Sequence, residues 1–188
     1  MVARAWSQGD DNGLCGLYAA VNAIRWLVPE LRKQNKRGDE RIAPLLPYLV
    51  RQMRPEEFKQ LYLDGDELEL VSTVMFWAID WLKAEVPQYK FDSWAPFWSE
   101  PAPSVRAYWD YTLPWIKGLG TVAIIGFDSP WSHWTVAPSM SRPYSVRLFD
   151  SDVFKTMDVR RTSFKEQNKL GHYQLDPRAV LIVRRRNA

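Results

Sequence analysis

Cys15 is the only cysteine in a chain of 188 residues, and His133 and His172 are the only histidines. A cysteine can serve as a nucleophile, and its thiolate is the reactive form. The segment from Gln8 to Gly13 that leads into it is polar and punctuated by glycine. Immediately after it, Leu17, Ala20, Val21, Ile24 and Leu27 recur at the spacing of one buried helix face. Cys15 is therefore expected at or near a helix N-terminus, where backbone N–H groups and the helix dipole favour negative charge and ease loss of the thiol proton. Hydrolysis of an acyl bond needs such a nucleophile, a base to activate it, a group to orient the base, and donors for the oxyanion. A metal centre is not indicated. One cysteine and two histidines, without HExxH or paired-cysteine spacing, make no ligand set, and no cofactor motif accompanies them.

Gln8 followed by Asn12-Gly13-Leu14-Cys15-Gly16-Leu17-Tyr18 at a helix opening resembles the nucleophile segment of papain-like cysteine peptidases. The nearest likeness is to compact members whose cysteine lies near the N-terminus, such as bacteriocin-transporter-type peptidase domains and Josephin-like deubiquitinases. The resemblance implies a histidine on a strand and then an Asp or Asn after the next strand. Ser132-His133-Trp134-Thr135-Val136 and Arg147-Leu148-Phe149-Asp150 supply them in that order. It implies Cys15 as nucleophile, His133 as base and then acid, and Asp150 as the group that fixes the imidazole. The Cys15 backbone N–H and the Gln8 side-chain amide would form the oxyanion hole. Gln8 stands seven residues before Cys15, slightly farther than the family's usual spacing, and Asn12 is the substitute donor. Asp152 is the rival to Asp150. His172, followed by Tyr173-Gln174-Leu175, reads as a sheet residue. Trp134 beside the base serves either as a wall of the site or as core.

The elements that must position these residues follow from the pattern. The first helix runs from Cys15 to Leu27 and stops before Pro29. Arg32 to Arg41 reads as a surface loop or frayed helix. A helix is expected within Ile42–Met53, another from Pro55 toward Gly65, and the longest over Asp66–Val86 with Asp66 as N-cap. Pro87 to Pro103 reads as a long loop, and Ser104 to Lys117 as a helix broken at Pro114. Short apolar runs then alternate with turn residues: Thr121–Phe127, Ser132–Ala137, Tyr144–Phe149 and Phe154–Val159. His172–Leu175 and Ala179–Arg184 follow, with Asp176-Pro177 as the turn between them. Helices first and strands last make an α+β domain. The resemblance implies a papain-like one, with an N-terminal helical lobe carrying the nucleophile packed on a C-terminal antiparallel sheet.

Length and the 46% hydrophobic content fit one domain over residues 1–188 with a substantial core. The net charge of +3 is mild. The runs Arg32–Arg37 and Arg184–Arg186 read as solvated faces, and the lack of a recognisable nucleic-acid motif argues against a nucleic-acid partner. One cysteine excludes an internal disulfide framework. No apolar run approaches the length a membrane span needs, and the N-terminus lacks a secretory signal, so the expected location is cytoplasmic or exported without a cleaved signal. The function these features imply is a thiol hydrolase, foremost a cysteine peptidase acting on a peptide or isopeptide bond in a protein or peptide substrate. A bacterial effector or toxin, or a deubiquitinase-like enzyme, fits that description. The alternatives are a transamidase or deamidase using the same triad, and a non-catalytic module that binds a protein partner through Trp-rich loops.

Overall fold

A computed structural model describes residues 5, 14–32, 36–64, 68–118, 120–129, 133–150, 154–167 and 172–187. The helices come first: α1 (Cys15–Leu27), α2 (Pro29–Arg32), α3 (Lys36–Ile42), α4 (Leu45–Gln52), α5 (Pro55–Asp64) and α6 (Leu68–Glu85). Then come β1 (Tyr89–Trp94), α7 (Val105–Trp115), β2 (Thr121–Ser129), β3 (His133–Arg142), β4 (Ser145–Phe149), β5 (Thr156–Asp158), β6 (Thr162–Phe164) and β7 (Tyr173–Asn187). The strands form a sheet in the order β1-β7-β2-β3-β4-β5, with β6 paired in parallel to part of β7 and all other pairs antiparallel. This is the expected α+β arrangement, with N-terminal helices on an antiparallel sheet.

α1 is the centre of the helical layer. It touches β2, β3 and β7 on one side and α2, α4 and α6 on the other. Every residue but Tyr18 is buried, not only the stripe that periodicity marks. The small side chains of Gly16, Ala19, Ala20 and Ala23 let neighbours close in on the flanks. At its far end, Arg32 Nε donates to the Trp26 carbonyl at 2.8 Å and Arg185 Nη1 to that of Leu27 at 2.7 Å. Two guanidiniums thus satisfy carbonyls that a helix C-terminus leaves open.

The sheet is covered on both faces. Val122, Ile124, Trp134, Val136, Phe149, Leu181 and Val183 meet the N-terminal helices. Their neighbours Ala123, Ile125, Ala137, Val146, Leu148, Val180 and Ile182 meet Tyr108, Trp109 and Ile116 around α7. Successive residues point to opposite faces, so a doubly covered strand reads as an unbroken apolar run, as Val122–Ile125 and Val180–Val183 do.

Several elements differ from expectation. Within the segment expected as a loop, Tyr89–Trp94 is an edge strand held to β7 by pairing and by Asp92, which bonds Arg184 at 2.9 Å and Arg186 at 2.6 Å. The C-terminal arginines are therefore strand residues with partners rather than a plain solvated face. Part of the Arg32–Arg41 stretch is helical. Pro114 lies inside α7, in its last turn, where little of the helix depends on the missing N–H. Asp176-Pro177 is not a hairpin turn. β7 runs through it as a bulge: Ile125 pairs with Val180 and Phe127 with Leu175. The bulge accommodates a proline that cannot donate to the ladder. Asp66, the expected N-cap, lies outside the described residues.

Candidate active site

Cys15 is the first residue of α1. The residue before it, Leu14, leaves the helical conformation at φ −96°, ψ 10° and gives no side-chain cap. Tyr18 N–H donates to the Leu14 carbonyl at 3.0 Å, which closes the first turn. His133 opens β3, and Asp150 directly follows β4. Antiparallel pairing of Val136 with Phe149 puts the start of β3 and the end of β4 at the same end of the sheet. α1 packs on β3, and its first residue arrives there as well.

The structure thereby brings together three residues that are far apart in the chain. His133 Nε2 lies 2.8 Å from Asp150 Oδ2, and the same imidazole hydrogen-bonds the Cys15 side chain. With Nε2 engaged by the carboxylate, Nδ1 is the ring nitrogen left for the thiol. The site is largely shut off from solvent: side-chain exposure is 11% for His133 and 1% for Asp150, and Cys15 is buried. Burial opposes a charge on the ring. Hydrogen bonds to Asp150 and Cys15, and the negative charge of both, outweigh it and raise the imidazole pKa from 6.5 to about 10. The ring therefore holds its proton at neutral pH, between an acidic oxygen and a sulfur.

Gln8, Asn12 and Asp152 lie outside the described residues. His172, expected in the sheet, instead lies just before β7, with its Nδ1 3.4 Å from the Thr162 carbonyl of β6. Trp134 is a core residue on the α1 face. A row of aromatic rings beside His133 escaped sequence reasoning. Phe154 lies 5.9 Å from the imidazole, Tyr173 6.2 Å from Phe154, and Phe127 6.0 Å from Tyr173. Phe127 is also the register partner of His133 across β2 and β3. Only that last relation could be sought in sequence, by pairing the two runs as a hairpin. Phe154 and Tyr173 arrive from segments whose placement is not local. Among the described residues no group of three or more His, Cys, Asp or Glu side chains gathers to hold a metal ion, and no helix is long and apolar enough to cross a membrane.

No protein-family model matches the chain. No curated protein matches it either. Among solved structures, the crystal structure of the Pseudomonas avirulence protein AvrPphB is similar to it, over 98% of this chain and 95% of that one, with 11% sequence identity and a TM-score of 0.34. No residue role is carried over from that distant likeness.

Proposed function

We propose that the chain is a thiol hydrolase, one domain in extent, that cleaves a peptide or isopeptide bond in a protein or peptide substrate. The observation that supports this reading is the hydrogen-bonded series from Cys15 through His133 to Asp150 at the start of a buried helix. A structural histidine needs one satisfied nitrogen. This one is bracketed by an acid and the chain's only thiol, with its pKa raised to about 10. Strongly perturbed groups that converge in this way mark reactive sites.

In the proposed reaction the proton rests on His133 and the sulfur of Cys15 is the thiolate. The sulfur attacks the acyl carbon, and the carbonyl π pair moves onto oxygen. The Cys15 backbone N–H, at the first helical position, donates to that oxyanion, with the Gln8 amide as the second proposed donor. As the tetrahedral species collapses, the C–N bond breaks and the imidazolium gives its proton to the leaving amine. The thioester then meets a water whose proton passes to His133 as its oxygen bonds the acyl carbon. The C–S bond breaks, releasing the acid and restoring the thiolate. Asp150 holds Nε2–H throughout, which fixes the tautomer and supports the imidazolium.

The test is to incubate purified wild-type and Cys15→Ala protein with peptide, ubiquitin-based and peptidoglycan-based substrates side by side. We expect cleavage of at least one amide substrate by the wild type and none by the variant, with unchanged circular dichroism. Cleavage that survives in Cys15→Ala overturns the assignment. Slow alkylation of Cys15 that ignores His133→Ala favours a non-catalytic binding module instead.

A further inference from the structure

Gly126 is the register partner of Trp134, the residue next to His133. A Cβ on Gly126 would meet the Cβ of Ala179 at 2.7 Å and the Trp134 ring at 3.1 Å (Cη2) and 3.2 Å (Cζ2). Trp134 and Ala179 both belong to the cluster that also buries Cys15, Leu17 and Phe149, so the indole lies on the α1 face of the sheet. Gly126 lies against the indole, and Ala179 lies against Gly126. Ala179 is held from behind, because its carbonyl accepts from the buried Tyr108 hydroxyl at 3.1 Å. The bulge that presents it is tied down by Ala102 N–H to the Pro177 carbonyl at 3.0 Å.

We propose that Gly126 and Ala179 form a seat for the Trp134 indole and that this seat sets the separation of Cys15 and His133. Both are positioning residues. The inference rests on the hydrolase reading of that pair. Trp134 is the bulkiest side chain β3 sends toward α1, and α1 packs on β3. The height of the indole above the sheet therefore sets how closely the first turn of α1 approaches. Cys15 is on that turn, and His133 is peptide-bonded to Trp134. A methyl group on Gly126 has no room: the Ala179 Cβ is fixed to the tethered bulge, so the indole or the strand must move. Displacements on the order of 1 Å at reacting groups lower rates by about 100-fold.

The experiment follows iodoacetamide labelling of Cys15 against pH, with thermal melting by circular dichroism as the control for folding. A single cysteine makes the labelling unambiguous. In the wild type, labelling should be fast and should slow about tenfold or more on His133→Ala. Gly126→Ala should lose about tenfold or more of that rate and become indifferent to His133→Ala. Gly126→Ala combined with Ala179→Gly should restore the rate to within about threefold. A seat that only supports the fold would change the melting temperature and leave the labelling profile where it was. Trp134→Phe, with a shorter ring on the same seat, gives a second route should Gly126→Ala not fold, and it should show the same loss of rate. A folded Gly126→Ala or Trp134→Phe protein with the wild-type profile overturns the seat. So does a Gly126→Ala defect that Ala179→Gly leaves uncorrected. A wild-type profile that is indifferent to His133→Ala sinks the hydrolase reading itself, which separates the two failures.

Discussion

Replacing Asp150 with Asn tests the electrostatics of the site while keeping its shape. Asn retains an oxygen that can accept from His133 Nε2–H and removes the charge. The imidazole pKa stands at about 10 against an ordinary 6.5, and it does so despite burial. At ~1.4 kcal/mol per pH unit, that is about 5 kcal/mol in favour of the imidazolium. Burial works against the charged ring while Asp150 and Cys15 both favour it, and Asn keeps the hydrogen bond, so the variant loses only the effect of the neighbouring charge, worth about 1–3 pH units. The variant should titrate about 1–3 pH units below the wild type. Histidine labelled with 15N gives the measurement, and a His172→Gln background assigns the only other imidazole. Stability provides a second reading with a fixed sign. A base with a raised folded pKa stabilises fully below pH 6.5, and the contribution is lost as pH rises toward about 10. Stability of the wild type to urea should fall across that window, and in Asp150→Asn the loss should finish at a correspondingly lower pH. A variant that titrates within about half a pH unit of the wild type, or a wild-type midpoint near 6.5, would refute the argument.

Two further predictions concern the scaffold. Ile24→Ala, at a fully buried position of α1, should cost about 2–5 kcal/mol in urea unfolding, and a cost below about 1 kcal/mol would contradict central burial of that helix. Tyr108→Phe leaves the Ala179 carbonyl without its donor and should cost about 1–3 kcal/mol in the same assay, whereas an unchanged midpoint would show the bulge is not held from the α7 side.

Local chemistry was legible wherever it was local. The bounds of α1, Cys15 to Leu27, follow from an apolar period and a proline just past its end. β2, β3 and β4 follow from short apolar runs between turn residues. β1 was not legible. Tyr89–Trp94 is short and sits among prolines, and it is a strand because the last residues of β7, 88 to 98 positions away, pair with it and place Arg184 and Arg186 on Asp92. The Asp176-Pro177 bulge was missed for a related reason. A turn signal marks where the ladder is interrupted, and partners on both sides decide whether the chain reverses or continues.

The candidate site divides in the same way. Residue type and the helical period after it nominated Cys15, and the resemblance of that segment to a known peptidase family then nominated His133 and Asp150 by their order along the chain. Their meeting was settled by tertiary packing alone. It takes antiparallel registry of β3 with β4 and the docking of α1 on β3 to close gaps of 118 and 17 positions into hydrogen bonds. The raised imidazole pKa and the aromatic row beside His133 belong wholly to that step. Burial and Coulomb interactions depend on distance in space, which sequence order does not encode.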